Sequence, residues 1–497
     1  MDALLNHSSL QKPASYAALE KPHPDSSPLA RYRNVPNFTP PSPLAQAVAQ
    51  ARFSTTSTRI DTPVNIRLPQ NSACLALIGA GGYKNRDPEL SYFLLDETDD
   101  YGFCKEVSIP CGLLEVAYQI DMDPTRKLIY VADSDRIKSY WYDGKKHGAK
   151  HTLNPKGDGP IMLVENGSKL LRAGRSGVDM WNVDTLPDHG PDGRKKIGKG
   201  KVSIEDSWRD EEAYVEPSTG TAAHASVSLH ADAIQPTTWS LLPNGHMIVS
   251  PKNKYSCWTA DLESGLKPVT KFIGHGGPVS GFSTSPQDPN SFLTSSDDGL
   301  ARLFDIRQPL PSISFDCGSS SERLRSALYV YVEGLPLVIT GGMKSECITV
   351  WEPRMKTALY TLATGNNSVS SLAWDAPRST LFAATECEYM DRLGYHHDYR
   401  PAKIPRSPYN KTAFGEWYGE KEHSDDDENM EDEDDADDED EDDDEHFWPE
   451  RAYHDEDAFG YTFDSGDHRL FRYKFGVDVD SKEVPEYGDA RPSNGDW

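Results

Sequence analysis

One local pattern returns seven times along this chain: a short run of β-branched and aromatic residues closes on a large aromatic side chain. The closing residues are Phe93 in LSYFLLD, Trp141 in DRIKSYWYD, Trp181 in GVDMWNVD, Trp258 in YSCWTAD, Phe304 in LARLFDIR, Trp351 in CITVWEPR and Phe471 in HRLFRYKF. They are spaced by 48, 40, 77, 46, 47 and 120 residues. Self-similarity at about 40 to 45 residues marks a repeat whose units cannot bury both of their faces alone and must stack on neighbours. The runs YVADSD, LLRAGRSG, MIVSPKN, FLTSSDDG, VITGG and LFAATE lie ahead of six of these aromatics and read as the matching second strands. The pattern predicts an all-β chain of seven stacked units over residues 59–482. Residues 60–70 are the candidate for the outermost strand of the last unit.

Two intervals exceed one repeat. The 77-residue gap holds a polar stretch at 187–231 and the 120-residue gap an acidic one at 390–456, and both read as insertions. Residues 1–58 carry Pro13, Pro22, Pro24, Pro28, Pro36, Pro40, Pro41 and Pro43 among small polar residues, so a disordered arm is expected. Within it, PSPLAQAVAQARF offers Ser42 as a cap, Pro43 in a first turn, and Leu44, Ala47, Val48 and Ala51 on one face. A short helix is therefore expected at 43–53. Residues 483–497 form a tail.

Charge is distributed unevenly. Of the 21 residues at 425–445, 18 are acidic and none is basic; the net charge is −28, and the rest of the chain carries −10. Hydrophobic residues make up 37% and mean hydropathy is −0.64, as expected of a chain with long unpacked stretches. A body of this sign is repelled by phosphate backbones, so no direct nucleic-acid binding is expected. The seven cysteines are scattered with no CxxC pair and read as reduced thiols. No run of about 18 apolar residues and no leader pattern occurs. A soluble intracellular protein, nuclear or cytoplasmic, without a membrane partner is expected.

The most complete repeat spans residues 274–307, GHGGPVSGFSTSPQDPNSFLTSSDDGLARLFDIR. It resembles a unit of the WD-repeat (WD40) family, with a Gly-His start, a Val-containing strand, a Ser/Thr-rich strand, Asp-Gly, and a strand ending in an aromatic plus Asp. The resemblance implies a seven-bladed propeller. It also implies a structural tetrad at His275, Thr294, Asp298 and Phe304, in which a His links a turn Asp to a Ser/Thr and on to the aromatic position. Phe304 has no N–H to complete that chain. The same residues invite comparison with a Ser-His-Asp hydrolase, but the resemblance assigns them to structure.

Other motifs weigh against enzymatic chemistry. In IGAGGYKNRD the third glycine of a dinucleotide fingerprint is replaced by Lys84, and neither GxxxxGK[ST] nor GxSxG occurs. Cys387, Glu388, His396, His397 and Asp398 carry zinc-type donors at no standard spacing and read as a surface loop. No metal or other cofactor is expected.

The sharper signal is Phe304-Asp305-Ile306-Arg307 and, one repeat later, Trp351-Glu352-Pro353-Arg354. These look like the WDxR boxes of propellers that serve as substrate receptors of cullin-based ubiquitin ligases. Asp305, Arg307, Glu352 and Arg354 would then face a cullin–adaptor complex, although each arginine can equally serve its neighbouring acid. The acidic run, including Asp425, Asp434, Asp440 and Glu445, cannot fold alone. It reads as a solvated loop or as a capture segment for a basic client such as a histone or ribosomal protein. Arg194, Lys195, Lys196, Lys199 and Lys201 form a basic cluster that could act as an import signal or pair with the acidic run. The leading expectation is a non-enzymatic protein–protein interaction scaffold; the ligase receptor comes second and the acidic chaperone third.

Overall fold

Several strands here, such as Leu128–Ala132, are apolar at consecutive positions instead of alternating, which is the pattern of a strand covered on both faces. The computed structural model shows how this is met. It describes residues 30–32, 48–53, 60–98, 104–145, 147–190, 193–202, 215–230, 235–317, 322–332, 334–354, 357–404, 446–475 and 484–491. Seven antiparallel sheets of four core strands each form the blades of a β-propeller.

Blade 1 comprises Thr62–Arg67, Cys74–Gly81, Asp87–Thr98 and Cys104–Pro110, and blade 2 comprises Gln119–Asp123, Leu128–Ala132, Ile137–Trp141 and His151–Asn154. Blade 3 is built from Ile161–Val164, Lys169–Ala173, Gly177–Asn182 and Ala225–Ser228, and blade 4 from Pro236–Leu241, Met247–Pro251, Cys257–Asp261 and Lys267–Phe272. Blade 5 holds Val279–Ser285, Asp288–Ser296, Leu300–Asp305 and Ile313–Asp316, and blade 6 holds Ser326–Val332, Leu335–Gly341, Cys347–Glu352 and Thr357–Ala363. Blade 7 pairs Ser368–Asp375, Thr380–Glu386 and Arg469–Phe475 with Val48–Phe53. All seven closing aromatics lie in the third strand of their blades.

Each junction between neighbouring blades has its own apolar cluster. In blade 2, Ile129 and Val131 join Leu90 and Tyr92 of blade 1, while Leu128 and Tyr130 join Leu170 and Trp181 of blade 3. In the same way Leu171 of blade 3 packs with Trp239 and Trp258 of blade 4, and Phe272 of blade 4 with Phe292 and Phe304 of blade 5. The ring closes where Ile60, Ile66, Leu75 and Phe93 meet Phe382, Ala384 and Leu470. Hydrogen bonds reinforce this junction: the Ile66 amide donates to Ser371 Oγ at 3.3 Å, and Arg378 reaches the Ser72 carbonyl at 2.9 Å.

The last blade differs from the sequence-based expectation. Its outermost strand is Val48–Phe53, paired from Val48↔Phe475 to Phe53↔Leu470, whereas Thr62–Arg67 is the innermost strand of blade 1. Of the helix expected at 43–53, the part at Val48–Phe53 is a strand, and residues 43–47 lie outside the described residues. The edge of Arg469–Phe475 presents a row of backbone donors and acceptors, and satisfying that row outweighs the weak helical tendency of a segment this short. Within the expected arm, Ala30–Tyr32 also adds to the outer edge of blade 6, opposite Tyr360–Leu362; the rest of that expectation lies outside the described residues.

The polar insertion is shorter than its predicted span of 187–231, because Ala225–Ser228 is the fourth strand of blade 3 and Thr221–Ala222 pairs in parallel with His151–Asn154. In blade 7, the segment between Thr380–Glu386 and Arg469–Phe475 forms a small pairing of Tyr399–Pro401 with Phe447–Pro449. Tyr461 and Phe463, downstream of the acidic run, enter the core between blades 6 and 7. Among the described residues no helix is long and apolar enough to cross a membrane.

Two measurements test the closure. Phe382→Ala, which opens a cavity in the junction cluster, is expected to lower the unfolding free energy by about 3–5 kcal/mol. A chain beginning at residue 54 is expected to unfold at lower urea than one beginning at residue 44, because only the shorter chain lacks the Val48–Phe53 strand. Equal midpoints would show that this strand does not latch the ring.

Candidate functional site

Blade 5 brings together three of the four tetrad positions. His275 lies on the connection entering the blade, and its Nε2 is 3.0 Å from Thr294 Oγ1 in the second strand. Its ring stacks on Phe304 of the third strand, centroids 5.4 Å apart. Asp298 belongs elsewhere: its two oxygens accept from Arg302 at 3.0 and 2.7 Å, and Oδ2 also accepts the Gly276 amide at 2.5 Å. His275 Nδ1 makes no hydrogen bond among the described residues. No relay therefore runs from Asp298 to His275. Burial, aided by the nearby Arg302 charge, pushes the imidazole down to about 4, so it is neutral at physiological pH.

The missing half of the chain appears one blade on. Trp351 Nε1 donates to Thr340 Oγ1 at 2.9 Å, and Thr340 occupies the second-strand position that Thr294 holds in blade 5. The His–Thr link is thus present in blade 5 and the Trp–Thr link in blade 6. Sequence reading missed Arg302 as the partner of Asp298; its four-residue spacing from that acid, across the Asp-Gly turn, was the available signal.

Both arginine boxes sit directly after a third strand, at equivalent edges of blades 5 and 6. Arg307 Nε donates to Asp305 Oδ1 at 2.8 Å, and Arg354 Nε donates to Glu352 Oε1 at 2.7 Å. The arginine side chains remain 73% and 60% exposed, while their carboxylates are 19% and 4% exposed. Each acid thus acts as a rooted clamp that orients a guanidinium outward. Leu310, three residues beyond Arg307, and Ile273, whose amide donates to the Pro309 carbonyl at 2.9 Å, are exposed apolar side chains.

A buried polar network, which the sequence did not announce, fixes the polar insertion to blade 2. Lys138 is fully buried; its Nζ lies 2.5 Å from Glu216 Oε2 and 3.0 Å from Thr152 Oγ1. Arg136 donates to the carbonyls of Glu216 and Ser218, and His189 Nε2 is 2.8 Å from Thr152 Oγ1. Burial lowers Lys138 to about 8. For Glu216, burial alone would raise the carboxyl, but the Lys138 charge and hydrogen bond, with Ser218, hold it at about 2. The Arg194, Lys195, Lys196, Lys199 and Lys201 side chains are exposed on this insertion.

Of the remaining candidates, Cys387 is buried beside Tyr399, His396 bonds the Gly466 carbonyl, Glu388 pairs with Lys344, and His397 Nδ1 lies 3.7 Å from Asp398 Oδ2. Among the described residues no three His, Cys, Asp or Glu groups converge as a metal site would require. Asp425, Asp434, Asp440 and Glu445 lie outside the described residues. The fold and these edges define a seven-bladed β-propeller presenting arginines on its rim. No protein-family model and no curated protein matches the chain.

The buried ion pair gives a pH prediction. Because Glu216 titrates near 2 in the fold and near 4.5 when unfolded, its stabilisation is present above about 4.5 and is lost as pH falls towards 2. The stability of wild type relative to a Lys138→Met, Glu216→Gln double variant should fall over that window. Glu216→Gln alone removes the carboxylate that keeps buried Lys138 protonated, and should cost up to about 3–5 kcal/mol at pH 7, less as the amine sheds its proton. Urea unfolding across pH reads both.

Proposed function

We propose that this propeller is a non-enzymatic WD-repeat protein that works as a protein–protein interaction scaffold. The observation that carries this reading is the pair of clamped arginines, Arg307 and Arg354, held outward at equivalent edges of neighbouring blades. A planar, permanently charged fork on a rigid strand end is a low-entropy anchor for a polar interface, and arginine is enriched among residues that dominate binding energy. WD-repeat membership is supported by the His275–Thr294 and Trp351–Thr340 links at the family's positions. The buried, neutral His275 supports a structural role for that residue rather than proton transfer.

A second reading is favoured by the same arginines: a substrate receptor that docks a cullin–adaptor complex through the two WDxR-like boxes. Exposed Leu310, three residues beyond Arg307, would supply apolar contact to such an adaptor.

Quantitative mass spectrometry of proteins co-purifying with the wild type and with an Arg307→Glu, Arg354→Glu variant tests both. Loss of hot-spot arginines should weaken the relevant partner about thirty-fold or more. A cullin–adaptor complex lost from a folded variant supports the receptor; another set of partners lost supports the general scaffold. Identical partner sets would remove the arginine edge from consideration. Basic proteins that depend on residues 425–445 instead would make the acidic run the working part.

A further inference from the structure

A second charged surface lies at the opposite ends of the third strands, where the turns joining second to third strands emerge. The loop at 155–160 enters blade 3 across the turn at 174–176. Gly157 packs so tightly there that a Cβ on it would fall 2.3 Å from Gly174 Cα. This places Lys156 beside Arg175. The same loop is tied to blade 4: Gln235 Nε2 donates to Asp158 Oδ1 at 2.7 Å, and the Lys252 amide donates to the Gln235 carbonyl at 2.9 Å.

One continuous surface therefore carries Lys156, Arg175, Lys252 and Lys254, all exposed, around Tyr255, which is 57% exposed. None of the four cations makes an ion pair among the described residues. Among the described residues, the acids within this loop and blade 3 have other partners, and Tyr118, whose hydroxyl donates to the Asp158 carbonyl at 2.7 Å, separates the surface from Asp133 of blade 2. Asp158 holds Gln235, and buried Asp179 accepts the Lys156 amide at 2.7 Å and Ser226 Oγ at 2.6 Å.

Four exposed cations with no ion pair among the described residues are thus grouped together on a chain of net charge −28. Screening confines exposed charges to about 8 Å at physiological salt, so distant acids do not cancel this local field. We propose that the surface docks an extended Asp/Glu-rich segment of a partner protein. Carboxylates engage the four cations, the Arg175 fork holds one of them bidentately, and the Tyr255 ring packs against the intervening aliphatic atoms. A nucleic-acid strand fits less well, because a uniform line of phosphates would run over Asp158, whereas a peptide can place its charges at intervals. This surface is separate from the Arg307 and Arg354 edge and does not depend on the role proposed for it.

Fluorescence anisotropy of a labelled Asp/Glu-rich peptide titrated with the full chain tests the assignment. Saturable binding is expected, weakened about tenfold or more by Lys252→Glu, Lys254→Glu and by raised salt. The charge-matched Lys267→Glu, Lys271→Glu control, on the outer strand of blade 4, should bind like wild type. Four results would overturn the proposal: absence of saturable binding by the full chain, equal loss in the control, no loss in a folded Lys252→Glu, Lys254→Glu variant, or tighter binding of a single-stranded oligonucleotide at the same salt. Binding that appears only after deletion of residues 425–445 would count as the first of these and would name the chain's own acidic run as the occupant.

Discussion

The burial of each blade on both of its faces is the constraint from which the rest of this structure follows. A four-stranded sheet with apolar residues on two sides has no stable existence alone, and here the faces find their cover chiefly in the next blade. Leu170 and Leu171 show the division at single-residue scale: adjacent in sequence, they serve the junctions with blade 2 and blade 4 respectively. Seven such junctions complete a circle, so the loss of any one exposes apolar surface on two blades at once.

That circularity explains which polar groups are buried. Where blades 7 and 1 meet, Ser371 and Arg378 bond the backbone of the opposite blade. Where the polar insertion crosses blade 2, Arg136 and Lys138 satisfy carbonyls and a carboxylate that the insertion brings in. In blade 5, Arg302 rather than His275 neutralises Asp298, so the turn is stabilised by an ion pair while the imidazole is held by packing and one hydroxyl. The outward arginines use the same chemistry at the surface, with a fixed acid defining the direction of a charged fork.

Much of the architecture was legible in the sequence because it is repeated. The closing aromatics and second-strand runs mark the blades even where the rest of each unit has drifted. What could not be read was whatever depends on partners far apart in the chain. Val48–Phe53 has a helical pattern on paper, and only the free edge of Arg469–Phe475, more than four hundred residues away, makes it a strand. The fourth strand of blade 3 was hidden by its polar, short sequence. Lys138 gave no sign of burial, since its carboxylate partner lies in an insertion. The tetrad residues were found by resemblance, which drew Asp298 towards His275 and away from the signal of Arg302 four residues further on.

Sharing the last blade between the two ends also sets an order of assembly. At about 5–20 residues per second of synthesis, Val48–Phe53 emerges some twenty to eighty seconds before the strand that receives it. Throughout that interval the newborn chain carries an unmatched strand at one end and an incomplete ring behind it. The open edge is the form most exposed to pairing with a neighbouring nascent chain, whose own Arg469–Phe475 offers the same register. Chains made side by side on one messenger are therefore the setting in which exchange of this single strand would link two rings.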